Sequence, residues 1–199
     1  MVRRVLWHLD RHPIARFPPG RAGAVAGQVV DESIGPGLRG PLTGERCAAY
    51  QLLVWSMVVV PPPPIAIESR CAAFTIDDGT GLCRIDPRGA ELALRYRRIA
   101  TRTREVDLTG DLVPALARSG ITGPPFATFG FEERSLLPGD WVVACGTGEL
   151  EPDPSPPAEA GYRERAAGRL VLGASGSFPL AISNDAALRA QPRRTVRLV

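Results

Sequence analysis

Two aspartates stand side by side in Thr75-Ile76-Asp77-Asp78-Gly79-Thr80. A phosphotransferase divides nucleophile and acid roles between two aspartates one residue apart, whereas adjacent aspartates on a strand point to opposite faces. All 24 basic residues are arginine, so no lysine is present to neutralise a phosphoryl charge or to form a Schiff base. Asp78-Gly79 instead suits a tight hairpin, because Asp and Gly tolerate positive φ. Asp77 or Asp78 with Glu132 or Glu133 would be the carboxylate pair of an acid-base enzyme, but nothing in the spacing brings them together.

Three further strings have the outline of a site. Gly35-Pro36-Gly37-Leu38-Arg39-Gly40 satisfies G-x-G-x-x-G, yet Pro41-Leu42-Thr43-Gly44 follows where a dinucleotide site needs a helix N-terminus. Gly173-Ala174-Ser175-Gly176-Ser177 leans towards a nucleophile elbow, but its last residue is Ser and both histidines lie near the N-terminus. His8 and His12 could share a helix face, but Pro13 cuts that helix short and no third ligand is evident. Cys47, Cys71, Cys83 and Cys145 show no C-x-x-C spacing, which excludes a zinc ribbon or RING and leaves buried thiols. No catalytic residue, metal ligand or cofactor is therefore expected.

The densest charge is Arg95, Arg97, Arg98, Arg102 and Arg104, with Glu91, Glu105 and Asp107 nearby. It reads either as a solvated, self-paired face or as a surface for a phosphate or an acidic partner, and these arginines are the candidate binding residues. A formal net charge of +3 over 199 residues is too small to imply nucleic acid or membrane by itself. The apolar stretch Val5-Leu6-Trp7 is too short for a signal peptide, and Leu52 to Val60 is about half a membrane helix. A soluble chain is expected. The bias towards Arg, Ala, Gly, Pro and Val suggests a bacterial, cytoplasmic source.

The elements that must position these residues are β-strands separated by turns. With 21 Gly and 20 Pro, the composition is too turn-rich for a helical bundle. The sequence predicts a peripheral arm or short helix within residues 3–17, a strand around Gly27, and a long or bent strand from Cys47 towards Val60. The Asp78-Gly79 hairpin follows, then a helix near 111–118 ending at Ser119-Gly120, a turn at Pro138-Gly139 and a strand from Trp141 to Cys145. Leu170 to Leu172 and Phe178 to Ile182 supply the last two strands, with a Pro-rich acidic excursion at Glu151 to Pro157. The fold class is mainly β (α+β), an OB-like Greek-key barrel elaborated with one or two short helices. The divisions are an arm at 1–22, a β domain at 23–185 and a basic tail at 186–199.

Four blocks carry a more specific likeness. They are Pro41-Leu42-Thr43-Gly44 with Cys47 and Tyr50, then Phe74 through Thr80-Gly81 with Ile85, Pro87, Gly89 and Ala90. Glu133 with Leu136, Pro138-Gly139-Asp140 and Gly146 follows, and then Phe178 with Ile182-Ser183. In this order they resemble the GIDE domain, also called BAM ("beside a membrane"), of mitochondrial-membrane E3 ubiquitin ligases and of prokaryotic relatives, over about residues 25–185. In the ligases that domain sits between two membrane spans and recruits partners, while a separate RING does the ligase step. This chain shows no flanking span and no RING spacing, so ligase activity is not carried over. The resemblance implies a free-standing, non-enzymatic recognition module for a protein partner or a small ligand, with a membrane-associated partner compatible. It gives Thr43, Gly44, Cys47, Tyr50, Asp78, Gly79, Thr80, Gly81, Glu133, Pro138, Gly139 and Asp140 structural roles. The alternative is an OB-type binder of single-stranded nucleic acid, which needs exposed aromatics on a basic groove; aromatics make up only 6% of the chain.

Overall fold

The computed structural model describes residues 9–34, 37–56, 64–95, 112–120, 129–152, 168–176 and 178–189. Ten strands are defined among them: β1 (Ala22–Val29), β2 (Ala49–Ser56), β3 (Pro64–Cys71), β4 (Phe74–Asp77), β5 (Leu82–Ile85), β6 (Ala90–Ala93), β7 (Phe129–Leu136), β8 (Trp141–Pro152), β9 (Gly168–Gly173) and β10 (Leu180–Ser183). Two helices, α1 (Leu112–Arg118) and α2 (Ala186–Arg189), accompany them. Among the described residues no helix is long and apolar enough to cross a membrane.

Five strands close into a barrel in the order β1-β4-β5-β9-β8, with β8 pairing back onto β1. Every pairing is antiparallel except β5 with β9. Numbered along the barrel alone, this is the 1-2-3-5-4-1 circuit of an OB-like Greek key. Alternation puts Val25, Phe74, Ile76, Cys83, Ile85, Val142, Ala144, Leu170 and Leu172 into one apolar interior. Closure needs a close approach at Gly27, where a Cβ would stand 2.5 Å from the Asp77 carbonyl oxygen. The β4–β5 hairpin turns at Gly79, whose φ of 80° explains the glycine.

The barrel is interrupted twice. The excursion between β1 and β4 contributes β2 and β3, and that between β5 and β8 contributes β6, α1 and β7. The two excursions meet as a second, antiparallel sheet in the order β3-β2-β7. One face of this sheet buries Tyr50, Leu52, Val54 and Phe131 against Leu112, Ala115 and Leu116 of α1. On the barrel side, β8 extends to β10, which pairs in parallel with β6.

The N-terminal segment corrects an expectation. It is not peripheral: Ile14 and Phe17 belong to the barrel core, and a 3-10 turn at Ile14–Arg16 places them. Phe17 fits because Gly148 has no side chain; a Cβ there would lie 2.3 Å from the ring. The Ile14 N–H donates to Asp78 Oδ2 at 2.9 Å, so the hairpin turn holds the segment in place.

Candidate functional site

The outer face of β1, β8 and β10 is built of small residues in register. One row, Ala24–Cys145–Ala181, is covered by Leu188 of α2 and by Leu9. The next row is Ala26–Val143–Ser183, whose Ala26 and Val143 belong to the same apolar cluster. Because Ala26 and Ser183 are short, a cavity of about 270 Å³ opens above it. Among the described residues, Asp140 and Trp141 at the start of β8 and Asn184 and Asp185 just after β10 line it.

Both walls are rigidly built. Gly139 (φ 77°) reverses the chain, and Asp140 Oδ2 accepts the Leu137 N–H at 2.9 Å. The Gly139 N–H donates to the Val29 carbonyl and the Val29 N–H to the Asp140 carbonyl, both at 2.9 Å, which fastens the turn to the end of β1. Opposite, Asp185 Oδ1 accepts the Ala187 N–H at 3.0 Å, the cap that an aspartate before a short helix supplies. Ser183 Oγ donates to the Ala93 carbonyl at 2.8 Å and accepts the Asp185 N–H at 3.2 Å. Asp140 and Asp185 are only 4% and 6% exposed.

Arg95 is held at the rim. Its backbone N–H donates to Asn184 Oδ1 at 2.6 Å, its carbonyl accepts from Asn184 Nδ2 at 3.3 Å, and its Nε pairs with Asp185 Oδ2 at 2.9 Å. Of the five candidate binding arginines, this one therefore meets the cavity walls. Arg97, Arg98, Arg102 and Arg104 lie outside the described residues.

The motif residues fall into three local structures. Glu133, 2% exposed, accepts the N–H groups of Leu42 and Thr43 at 2.7 and 3.3 Å, and the hydroxyls of Thr43 and Ser135 at 2.8 and 2.7 Å. The loop after the G-x-G-x-x-G string thus presents donors, as a phosphate loop would, but an internal carboxylate takes them. Gly44 turns this loop with φ 69°, and Cys47 and Tyr50 pack beneath it and under α1. Tyr50 and Arg118 both donate to Glu68 Oε1, at 3.3 and 2.7 Å, so Tyr50 ties β2 to β3 and α1. Burial, with Glu68 beside it, pushes the Tyr50 hydroxyl pKa up.

In the hairpin, Asp78 Oδ1 accepts from Thr80 Oγ1 and from the N–H groups of Thr80 and Gly81. Burial alone would raise the Asp78 pKa; these bonds and the one from Ile14 outweigh it and hold the carboxyl below its ordinary value. Glu132 pairs instead with Arg134 at 2.6 Å, so the aspartates and glutamates of the conceivable acid-base pair have separate structural partners. Ser175 Oγ lies 2.8 Å from Thr147 Oγ1 in a surface turn, and His12 packs edge-on against Phe17. The four cysteines are free, and burial pushes each thiol up to about 12, so they are neutral and weakly nucleophilic at neutral pH. Among the described residues no three His, Cys, Asp or Glu side chains gather to hold a metal ion.

The face an OB barrel uses for nucleic acid is that of its second and third strands, here β4 and β5. Across β4, β5, β9 and β8 its outward positions are Thr75, Asp77, Leu82, Arg84, Arg169, Val171, Glu149 and Glu151. This face holds three carboxylates against two guanidiniums and, among the described residues, no aromatic on which a base could stack. Sequence reasoning did not reach Trp141, Asn184 or Asp185 as a group. The only signal was a helix cap at Asp185, since the cavity arises from pairing strands about 40 and about 120 residues apart in the chain.

Compared with protein-family models, characterised proteins and solved structures, the chain matches none.

Proposed function

We propose that the chain is a non-enzymatic recognition module of the GIDE/BAM kind, acting in a bacterial cytoplasm, and that it binds a small ligand in the cavity above Ala26, Val143 and Ser183. The observation that carries the reading is the cavity itself. It is an open hollow of about 270 Å³ whose floor is paired strand and whose wall residues Asp140 and Asp185 accept hydrogen bonds from the backbone N–H groups of Leu137 and Ala187. Such a hollow is formed before the ligand arrives, so little ordering entropy opposes binding. Arg95 at its rim begins the arginine-rich segment that the sequence singles out.

The test is an amide NMR screen of the full chain against a fragment library, repeated on Ala26→Phe, which fills the hollow from β1. The reading expects saturable shifts at Ala26, Val143 and Ser183 that vanish in the variant. Shifts that persist in Ala26→Phe, or that map only to other faces, or no binding at all, would overturn it.

A further inference from the structure

The second sheet has one closed edge and one open edge. In the order β3-β2-β7, β7 buries Gly130 to Glu133 and Leu136, whereas β3 exposes Ile67, Ser69 and Arg70. Among the described residues β3 pairs with β2 alone. Ile67 is 56% exposed although it is large and apolar. An open edge carries unpaired N–H and C=O groups, which template pairing with another strand.

The side chains along β3 select that strand. Glu68 stands opposite Leu52 and Arg70 opposite Tyr50, so the two charges lie two residues apart on one face of the sheet. Charges of a single sign protect an edge from self-pairing, because they meet one another across it. Opposite charges at i and i+2 do the reverse, in one register. With a second β3 laid antiparallel and Ser69 on the two-fold axis, Glu68 of each copy stands opposite Arg70 of the other, and Ile67 opposite Cys71. A shift of two residues in the pairing sets Glu68 against Glu68 or Arg70 against Arg70.

The present partners of these side chains fit the same register. Among the described residues no ion pair or side-chain hydrogen bond holds the exposed Arg70. Glu68 uses only Oε1, which takes Tyr50 and Arg118, while its buried Oε2 has no hydrogen-bond partner. A carboxylate oxygen buried without a donor is costly, and a guanidinium brought directly opposite is a donor of the right charge.

We propose that β3 pairs antiparallel with β3 of a second copy of this chain about Ser69, joining two three-stranded sheets into one of six strands.

Sedimentation velocity of the full chain, from micromolar to millimolar concentration, is expected to show a reversible monomer–dimer equilibrium. Arg70→Glu, which sets a carboxylate against Glu68 twice in each dimer, is expected to weaken it at least tenfold, and added salt to weaken the wild-type dimer. Cross-linking reads the register. Directly opposite residues have Cα atoms about 4.5 or 5.5 Å apart, both within the span of a disulfide, so Ser69→Cys should link to itself in the second copy under a mild oxidant. Arg70→Cys meets its own copy only diagonally, at about 7–8 Å, and should link far less. Mapping of the linked peptides separates these products from links through the native thiols, and amide spectra establish that each variant is folded. A chain that stays monomeric over this range would overturn the proposal. So would a dimer that Arg70→Glu leaves equally tight, or one in which Arg70→Cys links as readily as Ser69→Cys.

Discussion

The barrel and the sheet attached to it are held by different kinds of force. Inside the barrel, Val25, Phe74, Ile76, Ile85, Val142, Leu170 and Leu172 meet no buried charge, and the packing is apolar throughout. The β3-β2-β7 sheet has an apolar face under α1 but is fixed in place by directional polar contacts. Glu133 holds the 42–43 loop, and Glu132 pairs with Arg134. Gln51 donates to the Leu92 carbonyl at 3.1 Å and accepts the Leu94 N–H at 3.0 Å, so one side chain takes the place of a neighbouring strand for the segment after β6. Burial is non-directional and roughly proportional to area, so it drives collapse of the barrel without choosing a precise attachment. Buried hydrogen bonds contribute less net free energy each, but a misplaced one is costly, so they specify where the second sheet sits.

The contrast breaks most visibly under truncation of the barrel core. Phe74→Ala is expected to destabilise the chain by about 3–5 kcal/mol through lost burial and a residual cavity, read as a lower denaturation midpoint. Hydrogen exchange should rise together across β1, β4, β5, β8 and β9.

Glu133→Ala should cost somewhat less, about 3 kcal/mol, since it strands buried donors at Leu42 and Thr43. Its exchange should rise first around 40–47 and 130–136, with the barrel amides protected. If its pattern matched that of Phe74→Ala, the two regions would be one cooperative unit and the contrast would fail. Glu133→Gln, which keeps an acceptor, should lie between Glu133→Ala and the wild type.

The smallest effect sharpens the comparison from within the barrel, where Asp78 makes a directional tie to the N-terminal segment. Its folded pKa lies below the ordinary carboxylate value of 3.8, so the native state favours the ionised form. The stabilisation is therefore fully present above that value and is lost as pH falls through it towards the depressed folded value. Wild type should exceed Asp78→Asn in stability at neutral pH, with the gap closing on acidification. A gap independent of pH would show that the charge of Asp78 contributes nothing.

Much of the barrel was legible along the chain. Asp78-Gly79 marked the hairpin, Leu170 to Leu172 a strand, and the 111–118 pattern the helix observed at Leu112–Arg118. These signals are local, because turn geometry and side-chain alternation repeat within a few residues. Strand β6 was missed: Ala90-Glu91-Leu92-Ala93 is too short and too mixed to show a period, and its strand character comes from pairing with β10. The N-terminal arm was misjudged because the space for Phe17 is created by Gly148, far away in sequence.

The site divides the same way. Charge density drew attention to Arg95, yet its partners Asn184 and Asp185 lie about ninety residues along the chain. By itself the sequence determined a turn-rich, mainly β chain with buried thiols and structural turns at Asp78-Gly79 and Pro138-Gly139, because composition, alternation and turn chemistry act over a few residues. Only the tertiary structure decided that two excursions from the barrel meet as a second sheet, that the phosphate-like loop closes on Glu133, and that Ala26, Trp141 and Asp185 enclose one cavity. Those outcomes depend on long-range register, which the order of residues encodes only through the packed whole.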